Sequence, residues 1–140
     1  MKYLIITIFV WFNLNVSKNT EYVKIYDYEM FNDYLKVRMV KAFIMTESSW
    51  DEKVVNKKED AVGLFQTRPI MLKQINKMVG YDKYSLKDRF EGFKSIELFL
   101  DAIKYKKLNF DLVLTANFWN CGHVWKTNPQ YIKKILANLK

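Results

Sequence analysis

Cysteine and histidine are almost absent from this chain of 140 residues. Cys121 is the single cysteine, so no intramolecular disulfide can form and the fold must be stabilised by packing. A zinc site needs more ligands of the His and Cys type than Cys121 and His123 supply. A nucleophilic Cys121–His123 pair is disfavoured, because side chains two residues apart in a turn rarely align and no third group orients them. We therefore expect neither a metal nor a cofactor.

Glycine and proline are also scarce, with four and two residues respectively. This scarcity disfavours a turn-rich, all-β domain. Hydrophobic residues make up 50% of the chain and aromatic residues 16%, so the sequence is able to form a core and is not a disordered tail. The length fits one domain. We expect an all-α fold with minimal β structure.

The chain has no apolar run long enough for a secure membrane span. Lys2 is followed by an apolar stretch from Leu4 to Phe12, which Asn13 and Asn15 interrupt well before 18 residues. This pattern is typical of a secretory signal peptide. We predict a signal peptide or an uncleaved N-terminal anchor over residues 1–17, followed by one domain over 18–140. The protein would then be exported, either periplasmic, extracellular or membrane-anchored facing the cell wall.

Acidic residues are outnumbered, with 15 Asp and Glu against 23 Lys and Arg, and the formal net charge is +8. Removal of the leader would take away Lys2 alone, which leaves 8 − 1 = +7. A cationic exported domain suits polyanionic surfaces such as cell walls. No known nucleic-acid motif accompanies the lysine clusters, which are most simply solvated helix faces and loops. A nucleic-acid partner is therefore not expected.

Hydrophobic periodicity and capping residues predict five helices. The first is a long helix that carries Glu47 at its C-terminal end, and the polar stretch from Ser48 to Asp60 is a loop or a small hairpin. The predicted helices run from Tyr22 to Met45, from Thr67 as a cap to Gly80, from about Arg89 to Lys107, from Asp111 to near Trp119, and from Asn128-Pro129 onward. In the last of these helices, Ile132, Ile135, Leu136 and Leu139 are expected to face the core.

Glu47 is the strongest candidate for catalysis. It lies seven, four and three residues after Val40, Phe43 and Ile44, which places it on the same helical face as these apolar side chains. A carboxyl that is partly withdrawn from water holds its proton more tightly, as a general acid near neutral pH requires. The alternative from periodicity alone is a surface glutamate near a helix end.

A carboxyl that acts as a general acid often works with a second carboxyl that serves as nucleophile or base. Asp51, Glu52, Glu59 and Asp60 follow Glu47 in the polar stretch and are the candidates. Spacing alone does not place any of them within reach of Glu47.

Three short motifs follow one another in the chain: Glu47-Ser48, then Ala61-Val62-Gly63-Leu64-Phe65-Gln66, then Ala116-Asn117-Phe118-Trp119-Asn120-Cys121-Gly122. In this order they resemble the motifs of the soluble lytic transglycosylase family, with Trp119 where tyrosine is usual. Together with Tyr131, the resemblance covers about Val37 to Ile135. It implies a lysozyme-like helical domain, acting as a monomer on peptidoglycan.

The resemblance also implies the roles of individual residues. Glu47 would act first as acid and then as base, and the muramic 6-hydroxyl would attack to give a 1,6-anhydro product. Gln66 would bind the substrate's 2-acetamido group, and Gly63 would let the backbone approach the sugar. The other residues implied on the substrate side are Ser48, Asn56, Trp119 as a stacking face, Asn120 beside it, and Tyr131 closing the groove.

The chain departs from the family pattern in the loop after Glu47. Glu59-Asp60-Ala61 stands where a Gly-Ala pair is usual, and Asn56 stands where a serine is common. Two alternatives therefore remain open. One is a lysozyme that hydrolyses the same bond with water, and the other is a non-catalytic wall-binding or virion structural protein.

Overall fold

The computed structural model of the protein describes residues 34–139. The predicted leader over residues 1–17 and the first part of the predicted Tyr22 to Met45 helix lie outside this range. Within residues 34–139, no helix is both long enough and apolar enough to cross a membrane.

The described chain is mostly helical, as the sequence predicted. It contains five α-helices, a short 3₁₀ helix and a two-stranded antiparallel sheet, in which Val55 pairs with Val62 and Asn56 with Ala61. In chain order the elements are α1 (Tyr34–Ser48), β1 (Val55–Asn56), β2 (Ala61–Val62), α2 (Pro69–Val79), the 3₁₀ helix (Leu86–Phe90), α3 (Gly92–Tyr105), α4 (Leu112–Cys121) and α5 (Pro129–Ala137).

Helix α3 forms the centre of the core, because nine of its 14 residues are buried. Phe99 on this helix contacts three other aromatic rings, with centroid distances of 4.3 Å to Phe65, 4.8 Å to Trp119 and 5.0 Å to Phe43. These rings come from α1, the segment after β2, and α4. The cluster therefore fixes the relative positions of the elements that carry the three motifs.

Most of the helix boundaries confirm the capping predictions. Asp111 accepts a hydrogen bond from the backbone N–H of Leu114 at the start of α4, and Asn128 accepts one from Tyr131 at the start of α5. Gly80 ends α2 in the left-handed conformation, at φ +97°.

Two details of the prediction were wrong. The N-cap of α2 is Arg68 rather than Thr67, because Thr67 forms a β-bridge with Val62. Leu136 is 52% exposed and does not face the core, since α5 buries only Tyr131 and Ile135 fully.

The buried side chain of Arg89 supports the hairpin formed by β1 and β2. Its guanidinium donates to the carbonyl oxygens of Asp60 at 2.8 Å and Thr67 at 3.0 Å. The backbone carbonyl of Arg89 also packs against Gly63, which follows β2 with φ +76°. A Cβ at Gly63 would collide with this carbonyl oxygen. Gly63 is therefore required by close backbone packing within the protein, which accounts for a glycine here whether or not a sugar binds nearby.

We expect Gly63→Ala to destabilise the domain by about 3 kcal/mol or more, because it adds a collision with Arg89 to the cost of a left-handed alanine. Gly80→Ala is the matched control, since Gly80 is also left-handed but has no atom near the position of its missing Cβ. The control should cost only about 1–2 kcal/mol. Denaturant unfolding of both variants measures the difference, and equal losses would contradict the packing account.

Candidate active site

Glu47 lies in the last turn of α1 and is partly buried. The hydroxyls of the two neighbouring residues, Thr46 and Ser48, are hydrogen-bonded within α1. Ser48 Oγ donates to the carbonyl oxygen of Ile44 at 3.1 Å, and Thr46 Oγ1 donates to that of Ala42 at 2.8 Å. Beyond Ser48 the chain turns away through Ser49 and Trp50, both with positive φ. The Glu47 carboxyl is therefore the candidate catalytic group in the last turn of α1.

Tyr131 holds this carboxyl in place. Its hydroxyl donates a hydrogen bond to Glu47 Oε1 from the first turn of α5. The Tyr131 ring is buried and meets the edge of Phe43 at a centroid distance of 6.3 Å. Because the ring is fixed by the core, the direction of its hydroxyl is fixed as well. The geometry therefore makes Tyr131 a positioning residue for Glu47.

The surroundings of Glu47 favour its protonated form. Burial raises the pKa of Glu47 to about 7, and this effect outweighs the lowering by the Tyr131 hydrogen bond and by the positive charge of Arg68. Burial, together with the adjacent Glu47, also raises the pKa of Tyr131 well above its usual value. Tyr131 thus remains a hydrogen-bond donor while Glu47 exchanges its proton near neutral pH.

A cavity of about 420 Å³ opens beside Glu47. We call it the Glu47 cleft. Residues from the end of α1, the hairpin, the segment between β2 and α2, the end of α4 and the start of α5 line it. The nine residues that line it are Glu47, Asn56, Glu59, Ala61, Gln66, Arg68, Trp119, Asn120 and Asn128.

Arg68 connects two walls of the Glu47 cleft. Its guanidinium donates to the carbonyl oxygens of Trp119 at 3.3 Å and Asn120 at 3.0 Å. These carbonyls lie in the last turn of α4, where cationic side chains are favoured. On the opposite side, Asn128 Nδ2 donates to Asn120 Oδ1 at 2.9 Å. Sequence reasoning missed Arg68 and treated Asn128 only as a helix cap, because both act through contacts between distant segments.

Gln66 braces the hairpin and also lines the Glu47 cleft. Its side-chain Nε2 donates to the carbonyl oxygens of Val54 at 3.2 Å and Gly63 at 3.1 Å. Its backbone is in the left-handed region, with φ 47°, which is unfavourable for a non-glycine residue. The fold thus holds Gln66 in one conformation at a cost in stability.

The structure brings together most of the site residues predicted from sequence. Glu47, Asn56, Gln66 and Asn120 line the Glu47 cleft, and Tyr131 contacts Glu47 directly. Ser48 is not among the lining residues, and its hydroxyl is bonded within α1.

Trp119 requires a correction. It contributes to the wall, but only 4% of its surface is exposed. Its indole N–H donates to the carbonyl oxygen of Phe65 at 2.9 Å, and its ring packs against Phe65 and Phe99. The indole face is therefore part of the core and is not open to a pyranose ring.

Of the four candidate second carboxyls, only Glu59 lines the Glu47 cleft. Its negative charge contributes to the raised pKa of Glu47. Asp60 forms an ion pair with Arg89 at 3.6 Å, and Asp51 accepts a hydrogen bond from the backbone of Lys53 at 2.8 Å. Residues 34–139 contain no group of three or more His, Cys, Asp or Glu side chains placed to hold a metal ion.

A protein-family model matches most of the chain. The transglycosylase SLT domain model matches residues 26–132, which is most of the chain and includes all three motifs and Tyr131. No curated protein and no solved structure matches.

The raised pKa of Glu47 predicts a pH-dependent stability. A carboxyl whose pKa is higher in the folded state than its ordinary value of 4.5 stabilises the fold below pH 4.5, and this contribution is lost as the pH rises toward 7. The free energy of unfolding of the wild type, relative to Glu47→Gln, should therefore fall by about 2–3 kcal/mol between pH 4.5 and pH 8. Urea unfolding at several pH values measures it. Glu52→Gln is the control, and a parallel pH dependence of the wild type and Glu47→Gln would contradict the burial of the carboxyl.

Proposed function

The chain belongs to the transglycosylase SLT domain family, which indicates a glycosidic-bond-cleaving activity on peptidoglycan, and we propose that it is a lytic transglycosylase. The bond cleaved is the β-1,4 linkage between N-acetylmuramic acid and N-acetylglucosamine, and the product carries a 1,6-anhydro ring. The observation that carries this proposal is the Glu47 carboxyl, whose pKa is raised by burial to about 7 and which Tyr131 orients at the edge of the Glu47 cleft.

In the first step Glu47 acts as general acid. Tyr131 bonds to Oε1, so the proton on Oε2 is available to the glycosidic oxygen of a glycan strand in the Glu47 cleft. As this proton is transferred, the bond between C1 of the muramic sugar and the leaving oxygen breaks. The positive charge that develops at C1 is stabilised by the carbonyl oxygen of the substrate's own 2-acetamido group, and by Glu47, which is now negatively charged.

In the second step Glu47 acts as base. The 6-hydroxyl of the same muramic sugar attacks C1, and its proton returns to the Glu47 carboxylate. One proton leaves and one returns, so the enzyme is regenerated and no water is consumed. Gln66 lines the same cleft as Glu47, and its Nε2 is already bonded to two backbone carbonyls. In this proposal its side-chain carbonyl oxygen accepts the hydrogen bond from the acetamido N–H.

Hydrolysis is the second candidate, and the position of Glu59 favours it. A hydrolase needs a second carboxylate to activate water on the far side of the sugar, and Glu59 lines the same cleft as Glu47. Glu59 lies in the turn between β1 and β2 and is exposed, whereas Glu47 is packed into the domain. We favour transglycosylation because a solvated carboxylate at the tip of a hairpin is poorly fixed for positioning water.

The substrate lies outside the cytoplasmic membrane, so the proposed activity requires export. The apolar segment within residues 1–17 supports export through a secretion channel, with cleavage or retention as an anchor. Mass measurement of the protein from fractionated cells tests this, since a full-length chain confined to the cytosol would contradict it.

We predict that Glu47→Gln lowers the rate of peptidoglycan cleavage by at least about 10²- to 10⁴-fold, because the amide has no transferable proton. The fold should persist, since the shape of the side chain is kept. Turbidity clearing of purified peptidoglycan measures the rate, and a melting scan shows that the variant is folded. Clearing at a wild-type rate would exclude Glu47 as the acid.

A second prediction separates the two reactions. Digests by the wild type should contain anhydro-muramyl ends, and Glu59→Gln should yield the same product at a rate within a few-fold of the wild type. Mass spectrometry of the digested glycan identifies the ends, with Glu52→Gln as the matched control. Reducing ends, together with an activity loss of about 10²-fold or more in Glu59→Gln alone, would establish hydrolysis instead.

A further inference from the structure

Trp125 is the most exposed large hydrophobic side chain in residues 34–139, with 76% of its surface accessible. It lies in the segment that joins α4 to α5. Exposing an indole to water is unfavourable, and its burial on binding a ligand would be a source of affinity. The side chain is therefore a candidate contact for a ligand outside the Glu47 cleft.

The segment that carries Trp125 is fixed on both sides. Asn117, buried in α4, donates from Nδ2 to the carbonyl oxygen of Val124 at 3.0 Å and accepts from Thr127 Oγ1 at 3.2 Å. Val124 is also packed against the hydrophobic core. One buried amide thus anchors the residues directly before and two places after Trp125. The exposed indole projects from a defined backbone.

The ring of His123 supports the indole. The two rings stack with a centroid distance of 4.6 Å and an interplanar angle of 22°. His123 is itself exposed, so the pair is a two-ring stack in solvent, with the imidazole against one face of the indole, and is not an extension of the core. Stacking restricts the rotation of the indole, so the indole loses less conformational freedom when a ligand binds to it.

The Trp125 segment begins and ends at the Glu47 cleft. Asn120 and Asn128, five residues before and three residues after Trp125, both line the cleft and are hydrogen-bonded to each other. The indole therefore lies on a short loop whose two ends are both at this cleft. Within the cleft itself, the Trp119 indole is buried and offers no stacking face.

We propose that Trp125, supported by His123, binds a sugar ring of the glycan strand next to the rings held in the Glu47 cleft. This rests on the proposed function, because it takes the occupant of the cleft to be a glycan. The apolar face of a pyranose, with its axial C–H groups, matches the flat indole. The asparagines at the edge of the cleft supply polar partners for ring substituents. Trp125 would thus act in binding, and it would take no part in the transfer of the proton.

The test is glycan binding without turnover. In a Glu47→Gln background, the affinity for purified peptidoglycan is measured by co-sedimentation for the parent, for Trp125→Ala and for Trp125→Tyr. We expect Trp125→Ala to weaken binding about two- to tenfold, in the range of one aromatic contact, and Trp125→Tyr to restore most of it. Tyr81→Ala is the matched control, since Tyr81 is 63% exposed on the loop after α2 and does not line the cleft.

In the active enzyme, Trp125→Ala should raise KM for short glycan strands with little change in kcat, and the melting temperature should stay within about 2 °C of the wild type. Unchanged binding by Trp125→Ala would overturn the proposal. It would also be overturned if Trp125→Ala lost affinity only for phosphatidylglycerol vesicles, since the indole would then contact a membrane.

Failure of the proposed function is separate from these results. Full activity of Glu47→Gln would remove the assignment of the acid, whereas the co-sedimentation result measures Trp125 alone. A loss of binding in Trp125→Tyr as large as in Trp125→Ala would argue against stacking on an aromatic face.

Discussion

The site depends on one contact, the hydrogen bond from Tyr131 to the Glu47 carboxyl at the junction of α1 and α5. Burial alone would leave the protonated carboxyl free to rotate, and the hydrogen bond alone would lower the pKa of Glu47. The fold combines the two, so that the proton is retained near pH 7 and lies on a defined oxygen. Further contacts hold the junction together. Asn138 Nδ2 donates to Thr46 Oγ1 at 2.9 Å, and the Arg38 guanidinium donates to the carbonyl oxygen of Leu139. Residues 138 and 139, which follow α5, are thereby tied to the helix that carries the acid.

The opposite wall of the Glu47 cleft is held by different means. The hairpin has only two short strands and little core of its own. Hydrogen bonds from the side chains of Arg89 to Asp60 and of Gln66 to Val54 hold it in place. Arg68 then joins this wall to the end of α4. Arg89 and Arg68 each reach from one segment to the next with a long cationic side chain. Their guanidinium groups donate hydrogen bonds to backbone carbonyls outside the helical and strand hydrogen-bond patterns. This wall of the cleft is thus held in place by the side chains of Arg89, Gln66 and Arg68.

The sequence predicted the features that depend on local pattern. Periodicity put Glu47 on the apolar face of α1 but left a surface glutamate as the alternative, and the three motifs decided between them. The capping signals of Asp111 and Asn128 gave the starts of α4 and α5. The match to the transglycosylase SLT domain confirmed the family that the three motifs had suggested. Features that depend on distant contacts were not predictable. The burial of Trp119 is decided by Phe99 on another helix, and a 3₁₀ helix of five residues is too short to leave a periodic signal.

The central claim is that Glu47 is protonated near neutral pH while Tyr131 orients it. Its most direct test is a ¹³C NMR titration of the side-chain carboxyl of Glu47, assigned by its absence in Glu47→Gln, in the wild type and in Tyr131→Phe. The account predicts a pKa of about 7 in the wild type. It predicts a higher pKa in Tyr131→Phe, because that variant loses the hydrogen bond that stabilises the carboxylate. A wild-type pKa near 4.5, unchanged in Tyr131→Phe, would contradict the account.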